Sequence, residues 1–143
     1  MSQSSDGGAK VDVVGPDRPK LMIVEDEFII ALALRKQVES LGYLVCCVTD
    51  TAEAAIDGVA ASEVGVVLMD VSLRGEVDGV TAAGHITKEF GIPVVIVSAY
   101  TDSHTLARAG EAGAVAVLSK PAGDHELREV LHKLLGDPNL GAR

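Results

Sequence analysis

The sequence predicts a three-layer, doubly wound α/β domain around a five-stranded parallel sheet, and two observations carry that prediction. Short Val-rich apolar runs recur five times along the chain, and segments of helical length separate them in strict alternation. Alternation with short connections requires parallel strands, right-handed crossovers and helices on both faces of the sheet. For five strands wound this way the common order is 2-1-3-4-5.

The elements follow in order. Residues 1–19 are rich in Ser, Gly, Asp and Pro and lack periodicity, which predicts a flexible N-terminal tail. Strands are expected at Leu21 to Val24, Leu44 to Val48, Val64 to Met69, Pro93 to Val97 and Val115 to Leu118, each buried on both faces. Helices are expected over Glu27 to Leu41, Thr51 to Ala61, Gly79 to Phe90, Asp102 to Ala112 and Asp124 to Leu135. Asp50 or Thr51, Asp78, and Thr101 or Asp102 supply N-caps, while Gly42 and Gly136 stop the first and last helices. The folded domain is thus expected over residues 20–136, with a C-terminal tail over 137–143.

Composition narrows the function classes. A chain of 143 residues predicts one domain, and 48% apolar residues can fill its core, which excludes disorder throughout. The balance of 12 Lys and Arg against 21 Asp and Glu gives a net charge of -9 without a local basic patch, so direct nucleic-acid contact is not expected. The first thirty residues contain no basic region followed by an apolar stretch, so neither a signal peptide nor membrane insertion is expected. Cys46 and Cys47 are adjacent, poor spacing for a structural disulfide or a zinc site. They read as two reduced cysteines on opposite faces of a buried strand, consistent with a cytoplasmic location.

In a 2-1-3-4-5 sheet, ligands bind beyond the carboxyl ends of the strands, where the strand order reverses. Strand 1 runs into Glu25-Asp26-Glu27, strand 3 into Asp70, strand 4 into Ser98-Ala99 and strand 5 into Ser119-Lys120-Pro121. A core has no need of acids directly after two neighbouring strands and of a hydroxyl and a lysine after the other two. Each pair of like charges about 5 Å apart costs roughly 3 kcal/mol at an effective dielectric near 20. Glu25, Asp26 and Asp70 together therefore favour a hard divalent cation, and Mg²⁺ suits oxygen ligands with positions left for water or a phosphoryl oxygen. Lys120 can pair with Asp70 and with an incoming phosphoryl group, and Ser98 can donate to one of its oxygens. Glu27 reads as an acid at a helix N-terminus, and His85, His104, His125 and His132 as surface residues.

The stretch from Lys20 to Leu135 resembles a response-regulator receiver domain of bacterial two-component signalling, the CheY-like variety of the flavodoxin-like fold. The resemblance rests on Leu21-Met22-Ile23-Val24-Glu25-Asp26-Glu27, Val67-Leu68-Met69-Asp70, Val94-Val95-Ile96-Val97-Ser98-Ala99 and Leu118-Ser119-Lys120-Pro121, in that order at the strand ends. It implies that Asp70 accepts a phosphoryl group from a histidine kinase or phosphotransfer protein. It further implies that Asp26, Asp70 and the Ser72 carbonyl hold Mg²⁺, with Glu25 acting through water or from behind. Ser98 and Lys120 would meet the phosphoryl oxygens, and the Lys120-Pro121 bond would be cis. Phosphorylation would reshape the surface of helix 4, strand 5 and helix 5. That face could also form a homodimer, with Leu106, Val117 and Leu127 near it.

The chain departs from the family pattern in three places. Arg74 stands four residues after Asp70, where the family usually has proline, and the loop is one residue longer than in chemotaxis-type receivers. Its Leu73-Arg74-Gly75-Glu76-Val77-Asp78-Gly79 run resembles a receiver subset often paired with atypical kinases. Val117 occupies the usual place of a switching Tyr or Phe, so a rotating ring cannot report phosphorylation there. Tyr100, beside Ala99, falls at the pocket rim.

Competing classes fit less well. An aspartate-type phosphatase needs a second acid two residues after its nucleophile, where Phe28 follows Asp26. A flavin-binding module of the same topology would need a phosphate loop where the acids of strand 1 repel phosphate. A receiver fold acting by binding alone, or a receiver fragment of a larger regulator, remains as the alternative. The leading expectation is a stand-alone response regulator whose output is phosphorylation-controlled protein binding.

Overall fold

The computed structural model describes residues 19–138, so the tails expected at either end fall largely outside the described residues. The elements run β1 (Lys20–Val24), α1 (Phe28–Ser40), β2 (Leu44–Thr49), α2 (Ala52–Ala61), β3 (Val66–Met69), α3 (Gly79–Phe90), β4 (Val94–Ser98), α4 (Ser103–Ala112), β5 (Ala116–Ser119) and α5 (Asp124–Leu135). The strands form one parallel sheet in the order β2-β1-β3-β4-β5, as the sequence predicts.

Two apolar layers hold the sheet. Met22, Val24, Val67, Met69, Val94 and Ile96 point to one face, where Ala52, Ala55 and Val59 of α2, Ala82, Ala83 and Ile86 of α3 and Ala109 of α4 cover them. Leu21, Ile23, Val66, Leu68, Val95 and Val97 point to the other, under Val38 of α1 and Leu127 and Leu131 of α5. Small alanines let α2, α3 and α4 approach the sheet closely, whereas α5 covers it with leucines. Pro138 lies against Gly42, and the Tyr43 hydroxyl donates to the Gly136 carbonyl at 2.9 Å, joining the chain beyond α5 to the α1–β2 turn.

Local signals set the helix ends. Thr51 and Asp78 cap α2 and α3 by accepting from the N–H groups of Ala54 and Thr81 at 3.0 and 2.9 Å. Asp102 sits at the N-cap of α4, yet its carboxylate accepts from the Thr105 hydroxyl instead of a backbone N–H.

Three expectations are corrected. Only β1, β3 and β4 are sheathed on both sides; β2 and β5 are edge strands with one neighbour each, and solvent reaches them. Cys46 and Cys47 are not on opposite faces. Leu21 pairs with Val45 but Met22 with Cys47, so Cys46 is an extra residue in β2, and both cysteines pack on the α2 side of the sheet. Leu127 belongs to no outer face, because the apolar stripe of α5 turns toward the sheet and buries it completely; Leu106, by contrast, is exposed. Val117 is half-buried beneath the α2–α4 layer.

Candidate functional site

Every polar residue singled out at the strand ends lies on one edge of the sheet. The chain leaving β1 is held by the Glu25 N–H, which donates to the Thr49 carbonyl at 2.9 Å, and the chain leaving β3 by the Asp70 N–H, which donates to the Val24 carbonyl at 2.9 Å. These ladder-like bonds continue the sheet just past its strands and bring Glu25, Asp26 and Asp70 together, with carboxylate oxygens within 4.8 Å of one another. Glu25 and Asp70 are buried and Asp26 half-buried, so the cluster opens to solvent on the Asp26 side. Gly79 secures the floor: a Cβ there would stand 1.8 Å from the Asp70 carbonyl oxygen, so only glycine lets α3 begin so close to the acid.

Lys120 reaches across from β5. Its ammonium lies 2.6 Å from Glu25 Oε1 and 3.1 Å from Asp70 Oδ1, and the Lys120 backbone N–H donates to the Ser98 carbonyl at 2.9 Å. Desolvation alone would lower the Lys120 pKa, but its bonds to Glu25 and Asp70 outweigh it and hold the ammonium above the ordinary lysine value. Burial pushes the Glu25 carboxyl up, against the bonds from Lys120 and the Glu27 N–H that favour its charged form, and the Asp70 charge adds to the rise. One ammonium thus faces three carboxylates, which is a hard oxygen donor set with negative charge in excess. Such a set fits a divalent cation such as Mg²⁺.

The remaining expected residues ring the cluster. Ser98 is fully buried at the end of β4, and its hydroxyl accepts from the Tyr100 N–H at 2.9 Å. Ala99 and Tyr100 are exposed at the rim, as is Ser72 in the turn after Asp70. The Lys120-Pro121 peptide bond is cis, as the resemblance implies. The four histidines are all exposed, and Glu27 stands exposed at the N-cap position of α1, outside the cluster and without a side-chain capping bond.

Sequence reasoning noted Arg74 only as a departure from pattern, yet it joins this site. Its guanidinium donates to the Asp26 carbonyl at 3.0 Å, and its backbone forms an isolated bridge with Thr51. A cation in place of a proline four residues after Asp70 was the available signal. A second loop contact lies at Asp78, whose carboxylate takes the Arg108 guanidinium of α4 at 2.8 Å while capping α3.

A buried acid pair, a half-buried third acid, a lysine and a hydroxyl at the carboxyl edge of a β2-β1-β3-β4-β5 sheet define a class, and sequence comparison agrees. The chain belongs to the response regulator receiver domain family, whose model matches residues 21–132, and so to the receivers of two-component signalling. It is 29% identical over 102 residues to the transcriptional regulatory protein PdtaR of Mycobacterium tuberculosis, covering 71% of this chain and 49% of that protein. It is 33% identical over 84 residues to the phyllosphere-induced regulator PhyR of Methylorubrum extorquens, covering 58% of this chain and 32% of the relative. The chain thus spans half or less of the length of these curated relatives. Among solved structures it resembles the signal receiver domain of a modulated diguanylate cyclase from Desulfovibrio desulfuricans G20, with TM-score 0.77 and 31% identity over 87% of this chain and 98% of that one. The signal receiver domain of an HD domain-containing protein from Pseudomonas fluorescens Pf-5 superposes with TM-score 0.76 at 25% identity, over 86% of this chain and 98% of that one. No helix among the described residues is long and apolar enough to cross a membrane.

Proposed function

We propose that the chain acts as a response-regulator receiver that takes a phosphoryl group onto Asp70 from a histidine kinase or phosphotransfer protein in the cytoplasm. The folded receiver spans residues 20–136, and its output is protein binding controlled by phosphorylation. The observation that carries this reading is the meeting of Glu25, Asp26 and Asp70 within 4.8 Å under a lysine that spans two of them.

The chemistry follows from those groups. An Asp70 carboxylate oxygen attacks phosphorus in line, the P–N bond to the donor imidazole breaks, and its electron pair stays on the nitrogen. Lys120, kept protonated, exchanges its contact with Asp70 for one with a phosphoryl oxygen and offsets the charge it brings. Ser98 turns its hydroxyl from the Tyr100 N–H toward another phosphoryl oxygen. Tyr100, at the rim, screens the acyl phosphate from water. Asp26, Asp70 and the Ser72 carbonyl would hold Mg²⁺, with Glu25 behind them or bound through water; when bound, the ion neutralises charge on the transferred group.

With Val117 in place of an aromatic ring, movement of Ser98 reaches the α4–β5–α5 surface by repacking of strand 5 and not by ring rotation. That surface serves the downstream partner or a second copy of the chain.

Intact mass after incubation with Mg²⁺ and acetyl phosphate tests the proposal. One phosphoryl adduct, absent without Mg²⁺ and absent in Asp70→Asn, is the expected result. A folded wild-type protein that gains no adduct, or an adduct retained by Asp70→Asn, overturns it.

A further inference from the structure

The bulge in β2 sets up a second chemistry away from the acidic cluster. In a regular strand consecutive side chains point to opposite faces, and the sulphurs of adjacent cysteines stand far apart. Here the ladder skips Cys46 between the Leu21–Val45 and Met22–Cys47 pairs. Both side chains therefore turn toward the α2 layer, and their sulphurs lie 3.0 Å apart. Both thiols are free, and both residues are half-buried on an edge strand rather than sealed in the core. A disulfide requires about 2.05 Å between sulphurs, so closure asks for a further approach of about 1 Å.

We infer that Cys46 and Cys47 form a vicinal dithiol site that closes reversibly to a disulfide when a hydroperoxide oxidises it. The two thiols have unequal roles. Burial and the neighbouring Cys47 sulphur push Cys46 up to about 12, so Cys46 keeps its proton and its S–H can donate to Cys47. The Cys47 sulphur attacks the outer oxygen of the hydroperoxide; the O–O bond breaks, the Cys47 proton passes to the departing oxygen, which leaves as an alcohol, and Cys47 becomes a sulfenic acid. The Cys46 sulphur then attacks the Cys47 sulphur, the S–O bond breaks, and the hydroxyl leaves with the Cys46 proton as water. Two thiols lose two electrons and two protons, and the hydroperoxide accepts both. Adjacent Cα atoms stand about 3.8 Å apart, below the usual disulfide span of about 4.4–6.8 Å, so the ring is readily reopened by a thiol.

The pair sits on the strand that fixes one side of the phosphorylation pocket, since Thr49, two residues beyond Cys47, accepts the Glu25 N–H. Treatment of the folded full chain with hydrogen peroxide, followed by intact mass and non-reducing peptide mapping, tests the inference. The expected product lacks two hydrogen atoms, maps to a Cys46–Cys47 disulfide within one chain, and reverts with dithiothreitol; Cys46→Ser and Cys47→Ser each abolish it. Oxygen addition at either thiol without ring closure, or disulfides only between copies, overturns it.

Phenylarsine oxide provides a measurement free of oxidation. One arsenic per folded chain with loss of water, missing from either serine variant, is expected. A folded chain that takes up none, while the chain unfolded in guanidinium chloride takes up one, overturns the site as well.

Discussion

The central strands and the edge strand β2 solve the same packing problem under different constraints. β1, β3 and β4 have a neighbour on each side and helices above and below, and Leu21 to Val24, Val66 to Met69 and Val94 to Val97 are buried almost completely. Slipping the register of such a strand by one residue would exchange its two buried faces, which the layers of α1 and α5 and of α2, α3 and α4 resist. β2 has one neighbour and a half-open surface, with Val48 37% exposed, and it absorbs an extra residue at Cys46. Rigid central strands hold acids at fixed separation for charge chemistry. A pliant edge brings two sulphurs together that a regular strand would separate.

Truncating side chains on the two kinds of strand gives the largest contrast. Ile96→Ala on β4 removes a fully buried side chain and is expected to cost about 2–5 kcal/mol, read by urea denaturation. Val48→Ala on β2 should cost less than about 1 kcal/mol because water already reaches that side chain. Equal losses at the two positions would break the comparison.

A smaller effect comes from the lysine that follows the other edge strand, β5, and pairs with acids at the ends of β1 and β3. Folding raises the Lys120 pKa above its ordinary value of 10.5, so the folded state binds the proton more tightly than the unfolded chain. The resulting stabilisation is complete below the unfolded value and is lost as pH rises through the folded one. Thermal unfolding on the alkaline side should therefore fall more steeply for the wild type than for Lys120→Met. Parallel curves would show that Lys120 gains nothing from Glu25 and Asp70.

The smallest expected effect belongs to Arg74, which connects the two regions by bridging to Thr51 beyond β2 and donating to the Asp26 carbonyl. Its hydrogen bond is exposed, so Arg74→Ala should leave the denaturation midpoint nearly unchanged and weaken Mg²⁺ binding only a few-fold, measured by titration calorimetry. A loss as large as that from removing Asp26 itself would make Arg74 part of the binding machinery rather than a prop for its backbone.

The alternation of five strands and five helices, their order, and the arrival of Glu25, Asp26, Asp70, Ser98 and Lys120 at one edge are legible in the chain before it folds. Those features are local: continuous apolar runs bury on both faces, and a polar residue directly after a run must emerge at the strand end. Other features depend on partners distant in the chain and are fixed by how the elements pack. The shared face of Cys46 and Cys47 comes from the register of β2 on β1, which strand alternation alone predicts wrongly. The burial of Leu127 comes from how α5 rolls onto the sheet, and the hold of Arg74 on Asp26 from where a loop closes 48 residues later. Period and composition report what each segment buries; register, rotation and loop closure are settled only when segments meet.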